Sequence, residues 1–133
     1  NGKTQEVKYN MFVDAIGQKP MNYGDFPFES LKDDQLISTG FLYFKDHKAA
    51  EEELSKGNPN VKQDSTSKYY LLVTGLNIGD HFENKDIYAV ANKRFYNMSV
   101  PFIGGLNPDY SGMDFCDTSA ERIEDSISEF IAE

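Results

Sequence analysis

Over Gln5–Val13 the residues Val7, Tyr9, Met11 and Val13 alternate with Glu6, Lys8 and Asn10. A period of two predicts a half-buried first strand. Gly17–Pro27, punctuated by Gly17, Pro20 and Gly24 before Phe-Pro-Phe, reads as a long loop with aromatic anchors. Gln35–Phe44 carries Leu36, Ile37, Phe41, Leu42, Tyr43 and Phe44 around Gly40 and predicts a second strand with a bulge at the glycine. Asp46 is placed to cap a short helix whose Ala49, Ala50 and Leu54 face a core, and Gly57-Asn58-Pro59 supplies its stop. The Glu51-Glu52-Glu53 triplet on this helix points in three directions and is a solvated face.

Asn58–Lys68 is polar and reads as a surface loop. Tyr69–Leu76, a nearly continuous apolar and aromatic run, predicts a central strand covered on both faces. A loop over Asn77–Lys85 then leads to a strand at Asp86–Ala91. A further strand is predicted where Tyr96, Met98, Val100 and Phe102 alternate with Asn97, Ser99 and Pro101, its proline favouring an edge or an end. Gly104–Pro108 breaks the pattern, and Thr118-Ser119-Ala120-Glu121 has capping-box spacing for a last helix. Ile123, Ile127, Phe130 and Ile131 recur on that helix at the spacing of one packed side. The order β, β, α, β, β, β, α leaves connections too short for repeated helical crossovers. The expected fold is therefore α+β. A mostly antiparallel sheet of about five strands carries a short middle helix and an acidic C-terminal helix on one face, and residues 1–133 form a single domain.

Composition supports a packed core, since 39% of the 133 residues are hydrophobic and 14% aromatic. Cys116 is the single cysteine, which excludes an intramolecular disulfide and any multi-cysteine metal site. No apolar run reaches the roughly 18 residues that span a bilayer. The chain starts at Asn1 with no signal-peptide pattern. This predicts an N-terminus trimmed from a secreted protein or lipoprotein, or a piece cut from a cytosolic one, and leaves the compartment extracytoplasmic or cytoplasmic. Asn97-Met98-Ser99 is a glycosylation sequon.

Charge is unevenly placed. Of the net −9, residues 109–133 hold −7, from eight acids against Arg122 alone. Such a local field repels nucleic-acid phosphates and attracts basic partners or cations. The partner-binding residues this predicts are Asp114, Asp117, Glu121, Glu124, Asp125 and Glu129.

Asn107-Pro-Asp-Tyr-Ser-Gly-Met-Asp-Phe-Cys-Asp117 half-matches a calcium loop, with Asn107, Asp109 and Ser111 at the first, third and fifth positions and Gly112 at the sixth. Thr118 stands where a bidentate glutamate is required and no amphipathic entering helix precedes Asn107, which disfavours a complete EF-hand. A shortened calcium site of Asn107, Asp109, Ser111 and Asp114 is the alternative to a turn that leads into the helix, capped by Asp117 or Thr118. A thiol enzyme would need Cys116 to meet His47 or His81, and Asp114 and Asp117 beside the cysteine oppose a thiolate. Scattered glycines supply no phosphate cradle.

The expected function is a non-enzymatic acidic module, such as an inhibitor, immunity protein or adaptor, that docks a basic protein without a cofactor. The alternative is an extracytoplasmic, lipoprotein-like domain that binds calcium or a small polar ligand through loop carboxylates.

Overall fold

A computed structural model describes residues 8–11, 13, 18–103 and 113–132. It has an α+β architecture with five strands in two antiparallel sheets, together with helices. The expected class holds, while the strands divide between two sheets rather than forming one.

A 3-10 turn, Tyr23–Asp25, and a short helix α1, Glu29–Asp33, lead into β1, Thr39–Tyr43. The pairing register of β1 shifts between Thr39 and Phe41, which places the bulge at Gly40 as its sequence predicts. Helix α2, His47–Ser55, begins where Asp46 accepts a hydrogen bond from the Lys48 amide at 2.9 Å. Ala50 is its fully buried residue, and Gly57 follows it at φ +79°. Strand β2, Val61–Gln63, comes next. Strand β3, Tyr69–Leu76, is central in the order β1-β3-β2 and antiparallel to both neighbours.

The second sheet pairs β4, Glu83–Lys85, with β5, Ala91–Tyr96. A short helix α3, Val100–Ile103, and a 20-residue helix α4, Met113–Ala132, complete the order.

Two apolar clusters hold these parts together. In one, Phe26, Ile37, Leu76 and Phe102 join the end of β3 to α3. In the other, Ile78, Phe82, Ile103 and Phe115 join the hairpin to α3 and α4. Burying each such side chain contributes about 1.5–3 kcal/mol. Gly75 permits the closest approach between them, because a Cβ there would lie 2.0 Å from the Phe102 carbonyl oxygen, and its φ is +95°.

Several sequence expectations are corrected. The described part of the predicted strand Gln5–Val13 lies outside any strand, and Tyr9, Met11 and Val13 are exposed, so the alternation there has no buried side. The remainder of that segment lies outside the described residues. The predicted loops Asn58–Lys68 and Asn77–Lys85 each contain a three-residue strand, too short and too polar to show a period. Within the first of them Val61 alone is buried. Strand β3 is central, yet its residues Tyr69–Val73 are only half-buried.

Of the predicted strand Asp86–Ala91 only Ala91 is in a strand, as the first residue of β5. The Asp86 carboxylate accepts the amides of Tyr88 at 2.8 Å and Val90 at 2.9 Å and folds the segment into the β4–β5 turn. The predicted strand over Tyr96–Phe102 ends as β5 at Tyr96. Asn97 Oδ1 accepts the Ser99 amide at 2.8 Å, and the chain turns into α3, where Pro101 sits near a helix start that tolerates it. Asn97 is buried, with its Nδ2 unpartnered among the described residues, so the sequon nitrogen is not presented to a glycosylating enzyme in the folded chain.

Neither Asp117 nor Thr118 caps the last helix, which is already formed from Met113; packing of Phe115 overrides the local capping signal. The packed side also differs. Phe115, Ser119 and Ser126 are buried, whereas Ile127 and Ile131 are exposed at 38% and 78%.

Candidate functional site

Helix α4 is about 30 Å long at 1.5 Å per residue. Phe115, Ser119, Ile123, Ser126 and Phe130 recur three to four residues apart and form its inner side. Small side chains at Ser119 and Ser126 let the helix lie close to its support. The Ser119 hydroxyl donates to the Cys116 carbonyl at 3.0 Å, and Ser126 Oγ lies 3.1 Å from the Tyr96 hydroxyl. At the C-terminal end Lys93 and Arg94 of β5 stand over the Phe130 ring, 5.9 and 5.5 Å from its centroid. Two cations beside the last turn also suit the helix dipole.

The outer side carries Asp117, Glu121, Glu124, Asp125 and Glu129, all exposed. None of these five takes part in an ion pair among the described residues. The helix's own Arg122 reaches inward to the Asp80 carbonyl at 3.4 Å instead. Asp117, Glu121, Asp125 and Glu129 follow one another at four-residue steps, where like charges cost about 0.2–0.5 kcal/mol per pair. The sixth predicted residue, Asp114, belongs to α4, and its side chain lies outside the described residues. Asn107, Asp109 and Ser111 of the calcium expectation also lie outside them. Among the described residues no group of three or more His, Cys, Asp or Glu side chains is placed to hold a metal ion.

The histidines are placed apart from this helix face. His47 starts α2, with Nδ1 3.4 Å from Glu51 and its ring 4.6 Å from that of Tyr69. His81 lies before Phe82, its amide held by Glu83 at 3.0 Å. Cys116 is exposed on α4, inside the helix rather than ahead of it.

Sequence reasoning missed a second surface. Alternation puts Phe41 and Tyr43 of β1 on the same sheet face as Tyr70 and Leu72 of β3, since Phe41 pairs with Leu72 and Tyr43 with Tyr70. The Phe41, Tyr43 and Tyr70 rings meet edge to face or tilted, with centroids 5.4, 5.4 and 6.1 Å apart. Tyr23 and the Ile87-Tyr88 tip of the β4–β5 turn complete an open cleft of about 540 Å³.

Asp64 stands at its edge. Its Oδ1 accepts from the Thr66 hydroxyl at 2.7 Å, the Thr66 amide at 2.8 Å and the Lys68 amide at 3.0 Å, and its Oδ2 accepts from the Tyr43 hydroxyl at 3.1 Å. The Thr66 hydroxyl foremost, then the Lys68 amide, hold this carboxyl at a pKa of about 2, while donation to Asp64 pushes the Tyr43 phenol above its ordinary value. Four tyrosines from separated segments and the Asp64-Ser-Thr loop are the sequence signals from which the cleft could have been suspected.

No protein-family model matches this chain, and neither the curated proteins nor the solved structures contain a match to it. Among the described residues no helix is long and apolar enough to cross a membrane.

Proposed function

We propose that the protein is a non-enzymatic binding module, an inhibitor, immunity protein or adaptor in kind, that docks a basic protein surface through the outer side of α4. The observation that carries this reading is the row of five exposed carboxylates with no ion-pair partner among the described residues, on a helix whose other side is anchored by Phe115, Ser119 and Ser126. A helix that served only as a solubilising lid would lower its own repulsion by mixing lysines into this row. A rigid single-sign face instead raises the encounter rate with a basic partner, by about 10- to 1000-fold at low salt.

The test compares the wild type with the triple variant Glu121→Gln, Asp125→Asn, Glu129→Gln in affinity capture from the source organism's extract at low and high salt. The expected result is a basic protein retained by the wild type at low salt, released at high salt and lost from the variant. Equal retention by both, with the same salt dependence, overturns the reading.

A further inference from the structure

The aromatic cleft is independent of α4 and has a chemistry of its own. Its lining includes the rings of Phe41, Tyr43, Tyr70, Tyr23 and Tyr88, one carboxylate and, among the described residues, no lysine or arginine. Its volume of about 540 Å³ falls in the range of small-molecule sites. We propose that it binds a small methylated ammonium compound, with the cation against the Phe41, Tyr43 and Tyr70 rings and the Asp64 carboxylate at the edge.

Three observations support the choice of ligand. First, the three ring centroids lie within 6.1 Å of one another, so one cation can stand within the ~6 Å reach of a cation–π contact to all three. Second, Asp64 Oδ1 is filled by three donors from its own loop, whereas Oδ2 accepts only the Tyr43 hydroxyl and keeps acceptor capacity on the cleft side. Its low pKa keeps the charge in place at any physiological pH. Third, among the described residues the lining presents no cationic donor to an anionic group and no Asn or Gln amide for paired hydrogen bonds to a sugar. At Phe130 the chain sets its own Lys93 and Arg94 over a ring, whereas Lys62 of β2, which pairs across from Tyr70, is not among the residues that line this cleft.

The test is a titration of the whole chain with choline, followed by NMR at the tyrosine ring protons. Its neutral isostere, 3,3-dimethylbutan-1-ol, and a short lysine-containing peptide serve as comparison arms. The expected result is saturable shifts at Tyr43 and Tyr70, with binding at least about tenfold tighter than that of the isostere, as full cation–π contact with three rings implies. Tyr70→Leu and Asp64→Asn should each weaken choline about five- to tenfold. Tyr43→Phe, which keeps the ring, should change it less than about threefold, and Lys62→Gln should leave it equal or tighter. Amide spectra of each variant, compared with the wild type, separate loss of ligand from loss of fold. Equal binding of choline and the isostere overturns the proposal, as does binding of the peptide through these rings without binding of choline, or no saturable shift at all. The Glu121, Asp125 and Glu129 variant should bind choline as the wild type does, so this result stands or falls apart from the docking role of α4.

Discussion

The two sheets solve the same problem by different means. In β1-β3-β2, strand β3 is hydrogen-bonded on both sides, and the cross-strand rings of Phe41, Tyr43 and Tyr70 remain partly open to solvent. In β4-β5 the two short strands pair with each other, β4 has beyond that only a single bridge from Asn84 to Ile78, and the interior is built around Phe82 together with the buried amides of Asn77, Asn84 and Asn97. A lone two-stranded ribbon is marginal in water, so the hairpin depends on the covering helices α3 and α4. The three-stranded sheet supplies most of its own order and can keep a face for ligands, whereas the hairpin's residues are committed to holding the helices.

The largest effects should therefore come from the hairpin side. Phe82 is 1% exposed and touches Phe115 with ring centroids 5.7 Å apart. Phe82→Ala should cost about 3–5 kcal/mol in urea unfolding. Phe41→Ala, which removes a half-buried ring from the other sheet, should cost about 1 kcal/mol. Equal costs would mean that the sheets do not divide the labour in this way. Gly75→Ala should follow at about 3 kcal/mol, since it combines a positive φ with a collision against the α3 backbone. Because Gly75 lies where β3 meets α3, its loss should appear in the same cooperative unfolding transition as Phe82→Ala.

A smaller effect probes how α4 is held. The Tyr96 hydroxyl donates to the Lys93 carbonyl at 2.9 Å, which leaves Ser126 as the donor in its 3.1 Å contact with Tyr96. Ser126→Ala should cost about 0.5–1.5 kcal/mol. The double variant with Tyr96→Phe should be less destabilised than the sum of the two singles. Strict additivity would show that the helix is held by Phe115 and its apolar neighbours alone.

What the sequence disclosed follows the same division. Strand β3 was legible from its continuous apolar run, and strand β1 and helix α2 because each pairs an apolar pattern with specific punctuators: Gly40 at the bulge of β1, Asp46 at the cap and Gly57 at the stop of α2. The hairpin region was misread because its punctuation lies in side-chain acceptors that bind amides two residues ahead. Asp86 and Asn97 each do this, and they turn runs that look like strand into a turn and a strand end. The start of α4 was placed at a capping box that packing overrides. Of the two candidate surfaces, the acidic row was legible because all six residues fall on one helix, and the five whose side chains are described are exposed. The cleft was not, because its rings come from four segments that meet only after β1 and β3 align.

The gentlest way to separate the two sheets is acid. Asp64, held at a pKa of about 2 by Thr66 and Lys68, has a folded value below its unfolded one. Its contribution is therefore present above about pH 4 and is lost as pH falls toward 2. The buried amides of Asn77, Asn84 and Asn97 in the hairpin region do not titrate. Between pH 4 and 2, hydrogen exchange at the Thr66 and Lys68 amides should speed up before exchange at Lys85 and Asn97, and Asp64→Asn should remove most of that lead. Tyr43 shifts the opposite way: its raised value gives a contribution present below about pH 10 and lost above it, when the phenol can no longer donate to Asp64. If both sheets instead loosen together at each pH extreme, the Asp64-Tyr43 contact is not a local fastening of the cleft, and the independence assigned to the three-stranded sheet fails with it.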